Sequence, residues 1–194
     1  MKAPPQARDD ASLVAESLRV PELFAQLYDR YFTDIHRYLA GRLGRETADD
    51  LAAETFLIAF RRRADFDVSR GAAVRPWLYG IATNLVSQHR RTEQRRLRAL
   101  GRMKAEDSVA GHEDEVTARV AAAELRPDLV RAMKALSPGD RDVIFLSVLG
   151  GLSYDEVAQA LDIPRGTVGS RLNRARTSLR TALGGRLDAT TEKD

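Results

Sequence analysis

Residues 152–183 read LSYDEVAQALDIPRGTVGSRLNRARTSLRTAL, and the pattern predicts two helices joined by a tight turn. Ser153 stands at an N-cap position with Glu156 three residues on, the pairing of a capping box. Leu152 and Val157 occupy the N′ and N4 positions of a hydrophobic staple. Val157, Ala158 and Leu161 add a short apolar stripe. The first helix ends at Asp162-Ile163-Pro164, because the residue before a proline is pushed out of helical geometry. From about Arg165 a second helix carries Val168, Leu172, Ala175, Leu179 and Leu183, steps of four, three, four and four along one face. Away from that face lie Arg165, Gly166, Gly169, Ser170, Arg171, Asn173, Arg174 and Arg176, and no acidic residue falls between Pro164 and Leu187. This is the plan of a helix-turn-helix, whose second helix enters the major groove with Arg, Asn and Ser near base edges and phosphates. A hairpin with a merely solvated basic face would share the caps. The uninterrupted positive charge favours DNA.

The whole chain has 194 residues, 43% of them hydrophobic, and a formal net charge of +3. That suffices for a real core in one domain or two small ones. Charge is arranged in blocks. Acids outnumber bases ten to five over 9–60, bases lead twelve to three over 61–104, and acids lead seven to two over 105–128. Two basic surfaces with an acidic spacer between them are expected, and binding of nucleic acid to either should weaken with salt. The absence of cysteine excludes disulfides and thiolate metal sites and suits a reducing cytosol. The first residues, MKAPPQARDDAS, lack the apolar run of a signal peptide, and no stretch approaches membrane-spanning length. A soluble, cytoplasmic protein is expected.

Residues 1–20 show no strong pattern and are expected to be a flexible extension, with some helix near its end. From Pro21 a helix carries Phe24, Leu27, Tyr28, Tyr31, Ile35, Tyr38, Leu39 and Leu43, stopped by Gly44. Thr47 is expected to cap the next helix, with Asp49 and Asp50 in its first turn. Leu51, Ala52, Thr55, Phe56, Ala59 and Phe60 form its buried face. Its other side sets Leu57 and Ile58 beside Asp49, Asp50 and Glu54, a mixture that suits protein docking or ordinary helix packing. Residues 65–75 read as a loop, and Pro76 as N1 of a third helix. On that helix Leu78, Ile81, Ala82, Leu85 and Val86 face inward, while Trp77, Asn84, Gln88 and Arg91 fall along another face. His89, Arg90, Arg91, Arg95, Arg96 and Arg98 form its basic end. An aromatic, an amide and several arginines along one ridge suit single-stranded nucleic acid; Trp77 as a core anchor is the competing account. Residues 101–124 are polar and acidic, first a flexible linker and then a possible helix start. Leu125, Leu129, Met133 and Leu136 then keep helical spacing from a start near Pro127. Ser137-Pro138-Gly139-Asp140 is another N-cap with Pro at N1. Its helix carries Val143, Ile144, Leu146, Val148 and Leu149 and ends at Gly150-Gly151.

No phosphate loop, HExxH or EF-hand pattern occurs. His36, His89 and His112 lie far apart, without metal-ligand spacing. The carboxylates occupy caps and solvated faces. Neither an enzyme nor a metal or other cofactor is expected.

Two stretches together resemble one family. TADDLAAETFLIAFRR followed by RPWLYGIATNLVSQHRR is similar to region 2 of bacterial sigma factors. ALSPGDRDVIFLSVLGGLSYDEVAQALDIPRGTVGSRLNRAR resembles their region 4, and the short acidic spacer resembles the extracytoplasmic-function (ECF) group. The resemblance covers about 22–98 and 125–183. It implies an all-α protein of two small helical domains, region 2 over 21–98 and region 4 over 125–186, joined by a flexible acidic linker at 99–124 and ending in a tail at 187–194. Such proteins bind core RNA polymerase, on the clamp helices of its largest subunit and the flap of the second-largest, and bring it to promoter DNA.

By resemblance, Asp49, Asp50, Leu51, Glu54, Thr55, Phe56, Leu57 and Ile58 would dock on core polymerase. Val68, Ser69, Arg70 and Arg75 match the loop that captures a flipped base of the minus-ten element, an extrusion costing a few kcal/mol. Trp77, Asn84, Gln88 and Arg91 match the surface that meets the melted strand. Arg165, Gly166, Thr167, Ser170, Arg171, Asn173 and Arg174 match the positions facing the minus-thirty-five element. The resemblance also implies an anti-sigma factor as a partner. The chain departs from the family at Gly169 and Gly80, where a basic residue is common, and at Ala53, where glutamine is; these bear on promoter strength. The alternatives are a freestanding helix-turn-helix regulator, which leaves the Thr47–Arg63 surface and the Trp77–Asn84 ridge without a role, and a helical adaptor that binds only protein, which leaves the arginine face of 165–180 unexplained.

Overall fold

A computed structural model describes residues 9–66, 73–103 and 127–182, and all regular structure within them is helical. Eight α-helices follow in order: α1 (Asp10–Ser17), α2 (Ala25–Leu43), α3 (Arg45–Arg61), α4 (Val74–Met103), α5 (Pro127–Ala135), α6 (Pro138–Val148), α7 (Tyr154–Leu161) and α8 (Arg165–Ala182). Among the described residues no helix is long and apolar enough to cross a membrane.

The first four helices form one unit. Leu27, Ile35 and Leu39 of α2, Ala52 and Phe56 of α3, and Leu78, Ala82 and Val86 of α4 meet in its core, as their helical spacing predicts. Helix α1 falls where some helix was expected near the end of the 1–20 stretch, and it is tied into the core. Asp9 caps it by accepting from the Ser12 N–H at 2.8 Å, and Leu13 and Val14 are fully buried. Asp10 pairs with Arg30 and Tyr31 on α2. Burial and that hydrogen bond push the Tyr31 hydroxyl up to about 12. Leu13 and Val14 alone are too few large apolar residues to set a period, so only the packing shows that this helix belongs to the core.

Two other expected starts shift. Gly44 takes φ 87° and ψ 165°, ending α2 and opening α3 with no loop between. Only glycine enters that region without strain, so α3 begins at Arg45 and Thr47 is not its cap. Helix α4 begins at Val74, two residues before the Pro76 start expected, and the Trp77 N–H reaches the Ala73 carbonyl at 3.3 Å. Pro76 is tolerated in that first turn, where an N–H has no intrahelical partner anyway. At its far end α4 runs to Met103, so helix occupies 99–103, where a linker was expected; residues 104–126 lie outside the described residues.

Helices α5–α8 form the second unit. The Ser137 hydroxyl accepts from the Asp140 N–H at 3.2 Å, capping α6. The capping box of α7 is complete: the Ser153 N–H donates to Glu156 at 2.9 Å, and the Glu156 N–H to the Ser153 hydroxyl at 3.3 Å. Leu152 and Val157 are buried together beside it. Asp162, at φ 50°, provides the left-handed residue that ends α7, one step before the Ile163-Pro164 pair. Val168, Leu172 and Ala175 bury the inner face of α8 against α6 and α7. Leu183, the last residue of that expected stripe, lies outside the described residues. The two units pack on each other, α7 against α4 and α6 against α2.

Candidate functional site

Three surfaces collect the residues that the sequence singled out. The first is the outer face of α8. Arg165, Gly166, Ser170, Asn173 and Arg174 are exposed along it, with Thr167 and Arg171 half-buried. Arg165 makes a surface pair with Asp155 on α7, Nε to Oδ1 3.3 Å, which a solvated setting makes weak. The Ser170 hydroxyl donates to the Thr167 carbonyl at 3.0 Å. Arg174 reaches back to Asp140, Nη2 to Oδ1 2.9 Å, and Arg171 lies over Gly139, where a Cβ would come within 2.8 Å of its Nη1. The Arg174 hydrogen bond holds the Asp140 carboxyl below the usual range, against the opposing effect of burial. Asp140 was visible in the sequence only as a helix-start carboxylate; its second role beneath two arginines needs α6 and α8 side by side. Gly169 has nothing within 4 Å of a Cβ, so this face is open there.

The second surface is on α3. Asp49, Asp50, Glu54 and Leu57 are exposed, Leu57 at 47%. Leu51, Thr55 and Phe56 are buried in the unit's own core, on the inward face that their spacing predicts, although the resemblance also places them in the docking segment. Phe56 packs 5.0 Å from the Tyr28 ring and 6.2 Å from Phe32, and the Thr55 hydroxyl donates to the Leu51 carbonyl at 2.7 Å. Ile58 is half-buried against the same core, not exposed. The remaining surface is an acidic rim around Leu57, with His36 meeting Asp49 at 2.7 Å.

The third surface is the ridge of α4. Asn84, Gln88 and Arg91 are exposed along it. Trp77 is half-buried, its ring 5.0 Å from Phe66, so it anchors the helix start while keeping one side open. Arg90 turns inward and donates to the Arg42 carbonyl at 3.3 Å. Val68, Ser69 and Arg70 lie outside the described residues.

Arg75 is placed differently from its expectation. It does not join the ridge but crosses to the second unit, donating to the Gly150 carbonyl at 2.6 Å, the Gly151 carbonyl at 3.3 Å and Glu156 Oε1 at 3.1 Å. Burial raises the Glu156 carboxyl, but the Ser153 N–H and hydroxyl and the Arg75 guanidinium outweigh it and hold it below its usual range. Sequence reasoning also missed Arg42, which is wholly buried between the units. It occupies a helix end, where a basic residue is unremarkable by pattern.

Sigma-70 region 2 matches over residues 27–96 and Sigma-70 region 4 over 126–179. The chain is 34% identical over 157 residues to the ECF RNA polymerase sigma factor BldN of Streptomyces coelicolor, covering 79% of this chain and 58% of that protein. It is 35% identical over 140 residues to the RNA polymerase sigma factor NccH of Alcaligenes xylosoxydans xylosoxydans, covering 70% and 72%. The match thus spans little over half the length of BldN. Among solved structures, CnrH in complex with the cytosolic domain of CnrY is similar at 25% identity and a TM-score of 0.63, covering 91% of this chain and 97% of that one.

Proposed function

The chain belongs to the ECF sigma factors of bacterial RNA polymerase, and on that premise we propose how its three surfaces divide the work of promoter-specific initiation. Members of this family are initiation factors and not enzymes. The outer face of α8 reads the minus-thirty-five element, the α4 ridge takes the melted strand of the minus-ten element, and the acidic rim around Leu57 docks on the clamp helices of core polymerase, with the flap holding region 4. The observation that carries this reading is the exposed row Arg165, Ser170, Asn173 and Arg174 on a helix whose opposite face is fully buried. A helix so held presents its polar side in fixed geometry, as base readout requires. The cytosolic domain of CnrY bound to CnrH supports a protein antagonist for this chain as well, and an anti-sigma factor is its proposed third partner. All of this work takes place in the cytoplasm.

The test is a pull-down of purified protein with bacterial core RNA polymerase, followed by transcription from a genomic promoter library. Stable binding with new, discrete start sites is expected. A folded protein that fails to bind core but still binds duplex DNA would instead be a freestanding regulator.

Two substitutions separate the nucleic-acid surfaces. Arg174→Ala should weaken binding to the upstream element by about 1–3 kcal/mol if the side chain leaves Asp140 for a bidentate base contact; a uniform loss across unrelated sequences would reassign it to phosphate. Asn84→Ala, on an exposed side chain, should slow promoter opening, followed by permanganate reactivity of the melted strand, while closed-complex formation changes little. Equal loss of both steps in a folded protein would remove Asn84 from the melted-strand surface.

A further inference from the structure

We propose that Asp140 is a positioning residue for base readout: it holds Arg174 from beneath, so that the arginine meets a base edge with its free end already aimed. The claim rests on the reading of the outer face of α8 as the surface that meets duplex DNA.

The anchor is fixed by its own helix. Asp140 lies in the first turn of α6, where a carboxylate favours the positive end of the helix dipole. Its N–H donates to the Ser137 hydroxyl at 3.2 Å, and its side chain is only 12% exposed. The carboxyl is held below its usual range, chiefly by the Arg174 hydrogen bond, and so carries its charge at neutral pH.

The arginine above it is open, with 61% of its side chain exposed. Arg174 donates through Nη2 to Oδ1 at 2.9 Å, and its Nε faces Oδ2 at 3.5 Å. The approach is side-on, with one long arm. A guanidinium carries five N–H groups in a planar fork, and the side-on edge uses the Nε hydrogen and one on Nη2. The end-on edge, one hydrogen each from Nη1 and Nη2, has no partner among the described residues. Two parallel donors in one plane match O6 and N7 of a guanine in the major groove. The bidentate base contact is therefore open to Arg174 while it keeps Asp140.

Arg171 is seated by the neighbouring residue. It crosses Gly139, where a Cβ would come within 2.8 Å of its Nη1 and 3.0 Å of its Cζ. A side chain there would push Arg171 off the start of α6. The pair Arg165 and Asp155 gives the contrast. It makes one contact, Nε to Oδ1 at 3.3 Å, with both side chains mostly exposed, and a solvated pair fixes little geometry.

Orientation matters because a mobile arginine must be ordered each time it meets a base. Held on Asp140, Arg174 also stays off the phosphates, whose contacts carry no sequence information. Without the carboxylate it gains reach to the backbone and loses its aim. Affinity for DNA in general should then rise, since a negative charge has gone, while preference for the right base falls.

The test uses core polymerase with the full-length chain on a promoter recovered from the library, and on versions with each upstream base pair replaced in turn. Arg174→Ala should erase the preference at one guanine. Asp140→Asn keeps the shape of the side chain and should lower the preference at that same pair by about 2- to 10-fold, the effect of having to order one long side chain. The slope of log K against log salt should steepen by up to about 0.9, the share of one added phosphate contact. Asp155→Asn removes the same charge from the exposed pair and should leave that preference unaltered. In the free chain, the Nε–H order parameter of Arg174 should exceed that of the exposed Arg176, and Asp140→Asn should abolish the difference. Unchanged preference in Asp140→Asn overturns the proposal, as does an equal loss on every promoter version, which marks a structural role. So does an Arg174 order parameter no higher than that of Arg176. A parent chain that directs no discrete start sites is a failure of the proposed function, and it takes the DNA role of Asp140 with it; discrete start sites with unchanged preference in Asp140→Asn overturn the positioning role alone.

Discussion

Arg42→Ala is expected to destabilise the full chain by about 3–5 kcal/mol, the cost of stranding one member of a buried ion pair. The loss has several sources, all within reach of one guanidinium. Asp142 keeps its charge in a half-closed interface, the Tyr38 hydroxyl loses a donor, and the Phe145 ring loses the cation beside it. Burial already drives the Tyr38 hydroxyl above its ordinary range, with Arg42 pulling it back, so removing Arg42 leaves a still less polar-compatible core. Arg42 Nε itself has no hydrogen-bond partner, which marks the site as one where charge is held at a cost. Urea denaturation followed by fluorescence of Trp77, the single tryptophan, measures the effect. The paired replacement Arg42→Met with Asp142→Leu should recover most of the loss, because two apolar groups leave nothing unpaired. If Arg42→Ala alone costs less than about 1 kcal/mol, the range of exposed pairs, the interface is solvated and the burial argument fails.

Phe56→Ala and Leu57→Ala, neighbours on α3, should behave in opposite ways. Phe56 is 4% exposed and meets the Tyr28 and Phe32 rings. Its truncation should cost about 3–5 kcal/mol, from lost transfer energy and the cavity left behind. Any loss of polymerase binding would then follow the loss of fold. Leu57 is 47% exposed, so Leu57→Ala should change stability by no more than about 0.5 kcal/mol. Its effect should appear instead as weaker capture of core polymerase. Thermal melting and a core-binding titration on both variants check the pair. A stable Leu57→Ala protein that binds core with parental affinity would remove α3's acidic rim from the docking surface.

These two residues also show how resemblance and structure divide the labour. A family motif runs straight along the sequence and names consecutive positions, whereas a helix turns by 3.6 residues and exposes only some of them. Of the set 49–58, Asp49, Asp50, Glu54 and Leu57 reach solvent, and Leu51, Thr55 and Phe56 hold the helix that presents them. Substitutions in the second group should therefore act on polymerase binding indirectly, through the fold. Both this division and that of α8 were legible beforehand, because Leu51, Thr55 and Phe56 on α3, like Val168, Leu172 and Ala175 on α8, recur at helical spacing along one face.

The packing of α7 on α4 gives Gly80 a meaning that the resemblance alone does not. Taken as a missing basic residue, it suggests weaker DNA contact. In the packed chain it is the point where one helix touches another's backbone.

By itself the sequence determined what is local. The capping box at Ser153, the N-cap at Ser137, the apolar stripes of α2, α4 and α8, the stop at Gly44 and the order of two helical units all follow from spacing within a few turns of chain. Those features depend on hydrogen bonds and side-chain periods between residues three or four apart, which the linear order carries in full. Only the tertiary structure decided that α1 is part of the core, that Arg75 meets Glu156, that Asp140 lies under Arg174, and that Arg42 is buried on Asp142. Arg42 and Asp142 stand 100 positions apart, and Arg75 and Glu156 stand 81 apart. No period connects such pairs. They exist because α7 can descend onto α4 where Gly80 has no side chain, and that is a property of two surfaces meeting.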